Sequence, residues 1–374
     1  MIEKSTRGFG SPSRYFQGPG EVNNLKSYTD LFGSRVFALI DVFFYESLTK
    51  QLKDIYAKAG GSIETEQFGG EASLKEIDRV TALGTACKAE VVVAIGGGKT
   101  LDTAKAMADN LKVPIVVVPT TASTDAPCSA LSVIYHENGM HSHERFYIKN
   151  PDIVLVDSEI IAKAPVKFLV AGMGDALSTY FEARANNEAD NPNFVNAEKS
   201  GGFRRPKVAM ALAKLCYELL LEDGLKAKQA AEAGVVTEAL ENIIEANTLL
   251  SGLGFENTGC AGAHSVNDGI IAVPPGDKAL HGIRVAFGTI VQLVAEGRPM
   301  QELQEVIEFC ISVGLPVMLE DMGIPCTKEN AWKIAETSMH SLWHCEPFKV
   351  RTENVYAAIM SANALGKHFK EKNK

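Results

Sequence analysis

Val91 to Lys105 reads VVVAIGGGKTLDTAK, an apolar run broken by three consecutive glycines and followed at once by residues that can start a helix. Strand, glycine turn and helix N-terminus together make an anion site. Gly96, Gly97 and Gly98 let the backbone turn sharply and approach a ligand closely. The free N–H groups of a helix beginning near Lys99 then face a phosphate, aided by the positive end of the helix dipole. The turn fits neither standard phosphate motif. A Walker loop requires Gly where Val93 stands, and the Rossmann fingerprint requires a small residue where Leu101 stands. A tight turn with no ligand is the structural alternative.

Outward from this turn, the chain reads as a parallel α/β region and then a helical one. Short β-branched runs (36–40, 62–68, 91–95, 114–118 and 153–156) alternate with helical patterns, notably 74–88 and 100–111. That alternation predicts a parallel sheet covered by helices. From Pro165 onward the pattern is helical almost throughout, as in VAMALAKLCYELLLEDG and AAEAGVVTEALENIIEANTLLSG. The expected division is residues 1–160 and 161–374, with 186–196 as a loop between helices. A chain of 374 residues with 46% hydrophobic content is long enough for two such units.

A net charge of −9 argues against nucleic acid or an anionic membrane as the main partner, so a phosphate site has to be local. The opening MIEKSTRGFG lacks the apolar core of a signal peptide, and no stretch reaches the 18 apolar residues of a membrane span; the expectation is a cytoplasmic protein. Seven scattered cysteines without a C-x-x-C pair indicate neither a disulfide framework nor a thiolate zinc site.

Ligands of open α/β sheets sit beyond the carboxyl ends of the strands. Three places qualify. Asp41 follows VFALI and suits a ribose diol while repelling a 2′-phosphate, although a turn or cap carboxylate explains it as well. The glycine turn offers Gly97, Gly98, Lys99 as counter-charge, and Asp102 one turn into the helix. The segment after IVVVP carries Thr120, Thr121, Ser123, Thr124, Asp125 and Ser129, a dense set of donors and acceptors that also fits loop capping. In the helical half, GMGDALSTYFEA places Asp175 at an expected helix opening, where an N-cap role is the alternative. GCAGAHSVNDGI carries His264 and KALHGIRVAFG carries His281. Two imidazoles and a carboxylate fit a three-ligand metal site with an open position, but their spacing does not force them together, and each histidine is also explained as a core residue. His136, His141 and His143 read as surface residues, and His340, His344 and His368 as ordinary members of the C-terminal helices.

The combination of GGGKTLDTAKA, PTTASTDAPCSALSVIY, GMGDALSTYFEARA, EANTLLSGLGFEN and HGIRVAFGT resembles the glycerol dehydrogenases of the iron-containing (group III) alcohol dehydrogenase family, from about Tyr15 to the final helix. The resemblance implies an N-terminal dinucleotide-binding α/β domain, a helical C-terminal domain and an active site between them. It implies zinc at Asp175, His264 and His281, with Fe2+ as the wider family's alternative, and NAD selected by Asp41. It places Gly98 and Lys99 at the pyrophosphate, and Thr120, Ser123, Ser129, Leu131 and Tyr135 around the nicotinamide half. Asp125 then lies beside a small polyol and Phe255 closes the pocket. The implied reaction is reversible oxidation of glycerol to dihydroxyacetone in a homo-oligomer, an octamer or another ring. Asn267 departs from the family pattern, standing where many relatives carry a second histidine. The segment 274–280 and the HCEPFKVRTENV stretch depart as well. Other vicinal diols, such as 1,2-propanediol or 2,3-butanediol, are the alternative substrates. A phosphate-ester enzyme of the wider superfamily would want a basic cluster by the ligands, and a non-catalytic relative would be expected to have lost one of them.

Overall fold

A computed structural model describes residues 5–372, so the first four residues of MIEKSTRGFG and the last two of 161–374 lie outside the described residues. Among the described residues, eight strands form two sheets: β1 (Arg14–Gly18), β2 (Arg35–Ile40), β3 (Ser62–Gln67), β4 (Val91–Gly96), β5 (Ile115–Pro119), β6 (Leu131–Tyr135), β7 (His141–Phe146) and β8 (Ile153–Asp157). The main sheet has the order β1-β8-β5-β4-β2-β3, and every pairing in it is parallel. The fully buried runs VVVAIG, IVVVP and IVLVD occupy its interior, as expected for strands covered on both faces. Helices α1 (Leu25–Thr29), α2 (Tyr45–Lys58), α3 (Leu74–Ala86) and α4 (Gly98–Leu111) accompany it.

Three strands escaped the sequence reading. Strand β1 joins the sheet at its edge beside β8, the last strand in the chain, a pairing that no local pattern announces. Strands β6 and β7 make an antiparallel hairpin beside the main sheet, and the exposed His141 and His143 belong to β7, not to a turn.

Beyond β8 the chain is helical: α5 (Ser158–Lys163), α6 (Val166–Glu188), α7 (Ala197–Ser200), α8 (Lys207–Glu232), α9 (Glu238–Glu245), α10 (Ser251–Thr258), α11 (Gly262–Ile271), α12 (His281–Ala295), α13 (Met300–Val313), α14 (Lys328–Ser338) and α15 (Thr352–Lys372). Helix α6 runs through Glu188, so the expected loop at 186–196 shortens to 189–196. A π-turn at Ala246–Leu250 joins α9 to α10. It aims Asn247 at the junction between the two halves, where its Nδ2 donates to the carbonyls of Ala122 (2.9 Å) and Leu169 (3.1 Å). One apolar core runs from sheet residues such as Val92 and Val117 into α6, α8, α12 and α15. Among the described residues, no helix is long and apolar enough to cross a membrane, and all seven cysteines are free.

Candidate metal and dinucleotide site

The glycine turn forms as the sequence predicts. Gly97 has extended backbone and precedes the first residue of α4, so that helix begins at Gly98 with no side-chain cap on its N–H groups. Asp41 sits at the adjacent strand end. Its N–H donates to the Ile95 carbonyl (2.8 Å), and its carboxylate accepts from Phe43 N (2.9 Å) and from the Thr100 hydroxyl (3.4 Å). Across the turn, the segment after β5 presents Thr120, Thr121, Ser123 and Thr124. The Thr120 N–H donates to the Gly96 carbonyl (3.0 Å), and the Thr121 and Ser123 hydroxyls lie 3.1 Å apart. Lys99 Nζ pairs with Glu71 (2.6 Å) and lies 4.7 Å from the ring centre of Tyr135, whose phenol burial pushes up to about 12.

Asp102 has a different place from the one expected. Its carboxylate is buried, accepts from Val133 N (3.1 Å) and meets Lys105 Nζ at 3.3 Å. The ammonium also donates to the carbonyls of Ala126 (2.5 Å) and Leu131 (2.9 Å) and to Ser129 Oγ (3.4 Å). Asp102 therefore anchors the hairpin to α4, because a buried carboxylate one turn into the helix faces the protein and not the turn. Ser129 is likewise buried with its hydroxyl engaged, donating to the Ala126 carbonyl (3.3 Å).

In the helical half, Asp175, His264 and His281 come together. Asp175 is not at a helix opening: it is the tenth residue of α6, well inside the helix, and is not an N-cap. The GMG before it serves helix packing. A Cβ on Gly172 would stand 1.9 Å from the Ala122 carbonyl oxygen, and one on Gly174 would stand 2.3 Å from that of Gly282. On α12, a Cβ on Gly282 would stand 1.8 Å from the Ala171 oxygen. Helices α6 and α12 therefore touch through their backbones, which carries His281 Nε2 to 3.2 Å from Asp175 Oδ1. His264, at the start of α11, brings its Nε2 to 3.8 Å from the same oxygen.

The donor set passes two tests for a cation. Asp175 Oδ1 is buried and makes no hydrogen bond, an orphaned acceptor that is costly unless something positive meets it. A tetrahedral ion with bonds of about 2.0–2.2 Å needs donor atoms about 3.4 Å apart, and the separations of 3.2 and 3.8 Å bracket that value. Burial raises the pKa of Asp175, but the two imidazoles outweigh it and hold the carboxyl below its ordinary value.

Asp125 adjoins this triad from the sheet side. Its N–H donates to Asp175 Oδ2 (3.4 Å), and its carboxylate accepts from Ser251 Oγ (3.1 Å), which in turn meets the Thr179 hydroxyl at 2.9 Å. From protein groups alone, burial and then the charge of Asp175 push the Asp125 pKa up; a divalent cation acts in the opposite direction. Phe255 packs edge-on against Phe194, with ring centres 6.4 Å apart.

Two residues of the site went unread in the sequence. Glu182 lies two turns after Asp175 on the same face of α6 and receives the His264 ring nitrogen Nδ1 at 2.8 Å. The D-x6-E spacing within an apolar helix is the signal that would have found it. Arg284 links two of the three departures from the family pattern: its Nε donates to Asn267 Oδ1 (2.8 Å), and its Nη1 donates to the carbonyls of Gly276 (3.3 Å) and Ala279, which lie in the 274–280 segment.

The family model for iron-containing alcohol dehydrogenase matches residues 12–158. Glycerol dehydrogenase of Thermotoga maritima is 45% identical over 95% of this chain and 96% of its own length. Glycerol dehydrogenase of Citrobacter freundii is also 45% identical, covering 96% of this chain and 98% of its own. The crystal structure of glycerol dehydrogenase from Schizosaccharomyces pombe superposes with a TM-score of 0.93 at 33% identity, over 99% of this chain and 94% of that one.

Proposed function

The chain belongs to the iron-containing alcohol dehydrogenase family, and on that premise we propose that it oxidises glycerol to dihydroxyacetone, reversibly, with NAD and a zinc ion held by Asp175, His264 and His281. The observation that carries this reading is the orphaned Asp175 Oδ1 flanked by two imidazole Nε2 atoms at 3.2 and 3.8 Å, beside the carboxylate of Asp125. One carboxylate and two neutral imidazoles suit Zn2+ and leave coordination positions for a vicinal diol. Fe2+ accepts the same donors, and metal analysis of the purified protein separates the two.

When bound, the metal acidifies the reacting hydroxyl and NAD accepts the hydride from its carbon. The protein's own groups bind and orient. Asp125, itself held by Ser251, accepts a hydrogen bond from a substrate hydroxyl and fixes which carbon faces the cofactor. Phe255 and Phe194 supply an apolar wall that limits water. The uncapped N–H groups at the start of α4 and the Lys99 ammonium receive the pyrophosphate, with Glu71 offsetting part of that charge. Asp41 accepts the ribose hydroxyls and repels a 2′-phosphate. Thr120, Thr121, Ser123, Leu131 and Tyr135 surround the nicotinamide half, whereas the buried, engaged Ser129 supports the loop. Division at 160/161 into a dinucleotide-binding and a metal-binding domain, and assembly into a homo-oligomer, belong to the same proposal.

The test is NADH formation from glycerol at alkaline pH, before chelation, after it, and after adding back zinc. Activity lost on chelation and restored by zinc supports the assignment. Turnover of 1,2-propanediol or 2,3-butanediol with glycerol inert would reject the substrate, and inertness toward every diol would reject the reaction.

A further inference from the structure

The triad explains one carboxylate of α6, yet a second on the same helix face is equally buried. Glu182 is 1% exposed and accepts four hydrogen bonds. Its Oε1 receives Ala261 N (2.8 Å) and His264 N (3.0 Å), and its Oε2 receives His264 Nδ1 (2.8 Å) and Ser178 Oγ (3.0 Å). With a carboxylate's roughly four acceptor sites filled, it has none left for a metal ion. Cys260 lies close by, and the donor atoms of Glu182, Cys260 and His264 fall within 4.8 Å of one another. Burial pushes that thiol up to about 12, so it stays protonated and offers no thiolate.

We propose that Glu182 is the positioning residue of the metal centre. It fixes His264 as the Nδ1–H tautomer, leaving the Nε2 lone pair free and aimed at the space shared with Asp175 and His281. All four of its acceptor positions face N–H or O–H donors, the arrangement that suits a carboxylate anion. An anion on Nδ1–H makes Nε2 a stronger donor to a cation. The same carboxylate fixes the backbone: its bonds to Ala261 N and His264 N set the start of α11, and with it the ring's Cα position. A single side chain thus controls both where the imidazole stands and which nitrogen it offers. Ser178, whose one hydroxyl proton is shared between Glu182 Oε2 and the Asp175 carbonyl (2.9 Å), holds Glu182 in turn.

This inference rests on the assignment of Asp175, His264 and His281 as ligands, and its test separates the two. Zinc affinity of the apoprotein is measured by competition with a chromophoric chelator for wild type, Glu182→Gln and Glu182→Asp, alongside the melting temperature of each apoprotein and the visible spectrum of each Co2+-loaded protein. Gln turns an NH2 group toward N–H donors, and Asp is one methylene too short to reach the ring and the backbone together. Both variants are expected to bind zinc about 10- to 100-fold more weakly, with an altered Co2+ spectrum. If Gln prevents folding, Asp alone carries the test. Zinc affinity within twofold of wild type and an unchanged Co2+ spectrum, whatever the melting temperature, would reduce Glu182 to a structural residue and overturn the inference. A wild-type protein that takes up no zinc would reject the ligand assignment itself, and the inference with it.

Discussion

Replacing Gly282 with alanine tests whether backbone contact between α6 and α12 builds the metal site. The added Cβ would stand 1.8 Å from the Ala171 oxygen and 2.8 Å from Asp175 N, whereas real Cβ atoms essentially never come within 3.0 Å of such atoms. Both obstacles are backbone, so no rotamer change relieves them, and the helices have to separate by about 1.2 Å. Such a displacement, carried by the start of α12, moves His281 away from Asp175. The 3.2 Å between His281 Nε2 and Asp175 Oδ1 becomes about 4.4 Å. A tetrahedral ion spanning that gap would need bonds of about 2.7 Å, well beyond the usual 2.0–2.2 Å. The expected result is a zinc affinity lower by about 100-fold and a kcat/KM lower by at least as much, with about 1–3 kcal/mol lost in stability from overpacking. Chelator competition, steady-state rates and urea unfolding read the three quantities. If Gly282→Ala binds zinc within threefold of wild type and keeps its kcat/KM, the close approach is not what assembles the site.

Asp41→Gly removes the carboxylate at the β2 end and should raise relative activity with NADP by about tenfold, on removal of one repulsion of order 1.4 kcal/mol. An NAD/NADP rate ratio equal to wild type would remove Asp41 from the ribose subsite. Glu256 gives a pH test of stability. It is buried, accepts from Ala130 N (3.2 Å) and Asn150 Nδ2 (2.5 Å), and burial pushes its carboxyl up to about 7 from an ordinary 4.5. The folded protein therefore binds the extra proton between those values. The contribution of Glu256 to stability is greatest below about 4.5, falls as pH rises toward 7, and levels off above it, by a total of order 3 kcal/mol. Glu256→Gln keeps an acceptor oxygen and has no proton to lose. Its stability relative to wild type should therefore rise by roughly that amount from pH 5 to pH 8 in urea melts; a constant difference would contradict the assigned burial effect.

The local elements were legible because local forces make them. VVVAIGGGKT announces a buried strand, a sharp turn and a helix start from β-branching, glycine and periodicity. The α/β half and the helical half follow from the change of period near residue 160, and the same pattern puts Asp41, Lys99 and the hydroxyl-rich segment just beyond strand ends. Asp175 was misplaced because GMG looks like a helix break, whereas its glycines let α6 run close against Gly282 of α12 and the Ala122 carbonyl. Asp102 looked available because a charged residue near a turn usually is; only packing shows Lys105 buried beside it.

The sequence by itself determined most of the elements, the parallel character of the sheet and the residue types from which a nucleotide and metal site is made, since these follow from propensity and periodicity within short windows. The convergence of Asp175, His264 and His281 is not in their spacing, and the resemblance to relatives supplied it. The tertiary structure decided the order of the strands, the entry of β1 beside β8, the backbone contact that draws α6 and α12 together, and Glu182 behind His264. These depend on contacts between residues far apart in the chain, and short-range physics cannot rank one such pairing above another until the whole core is packed.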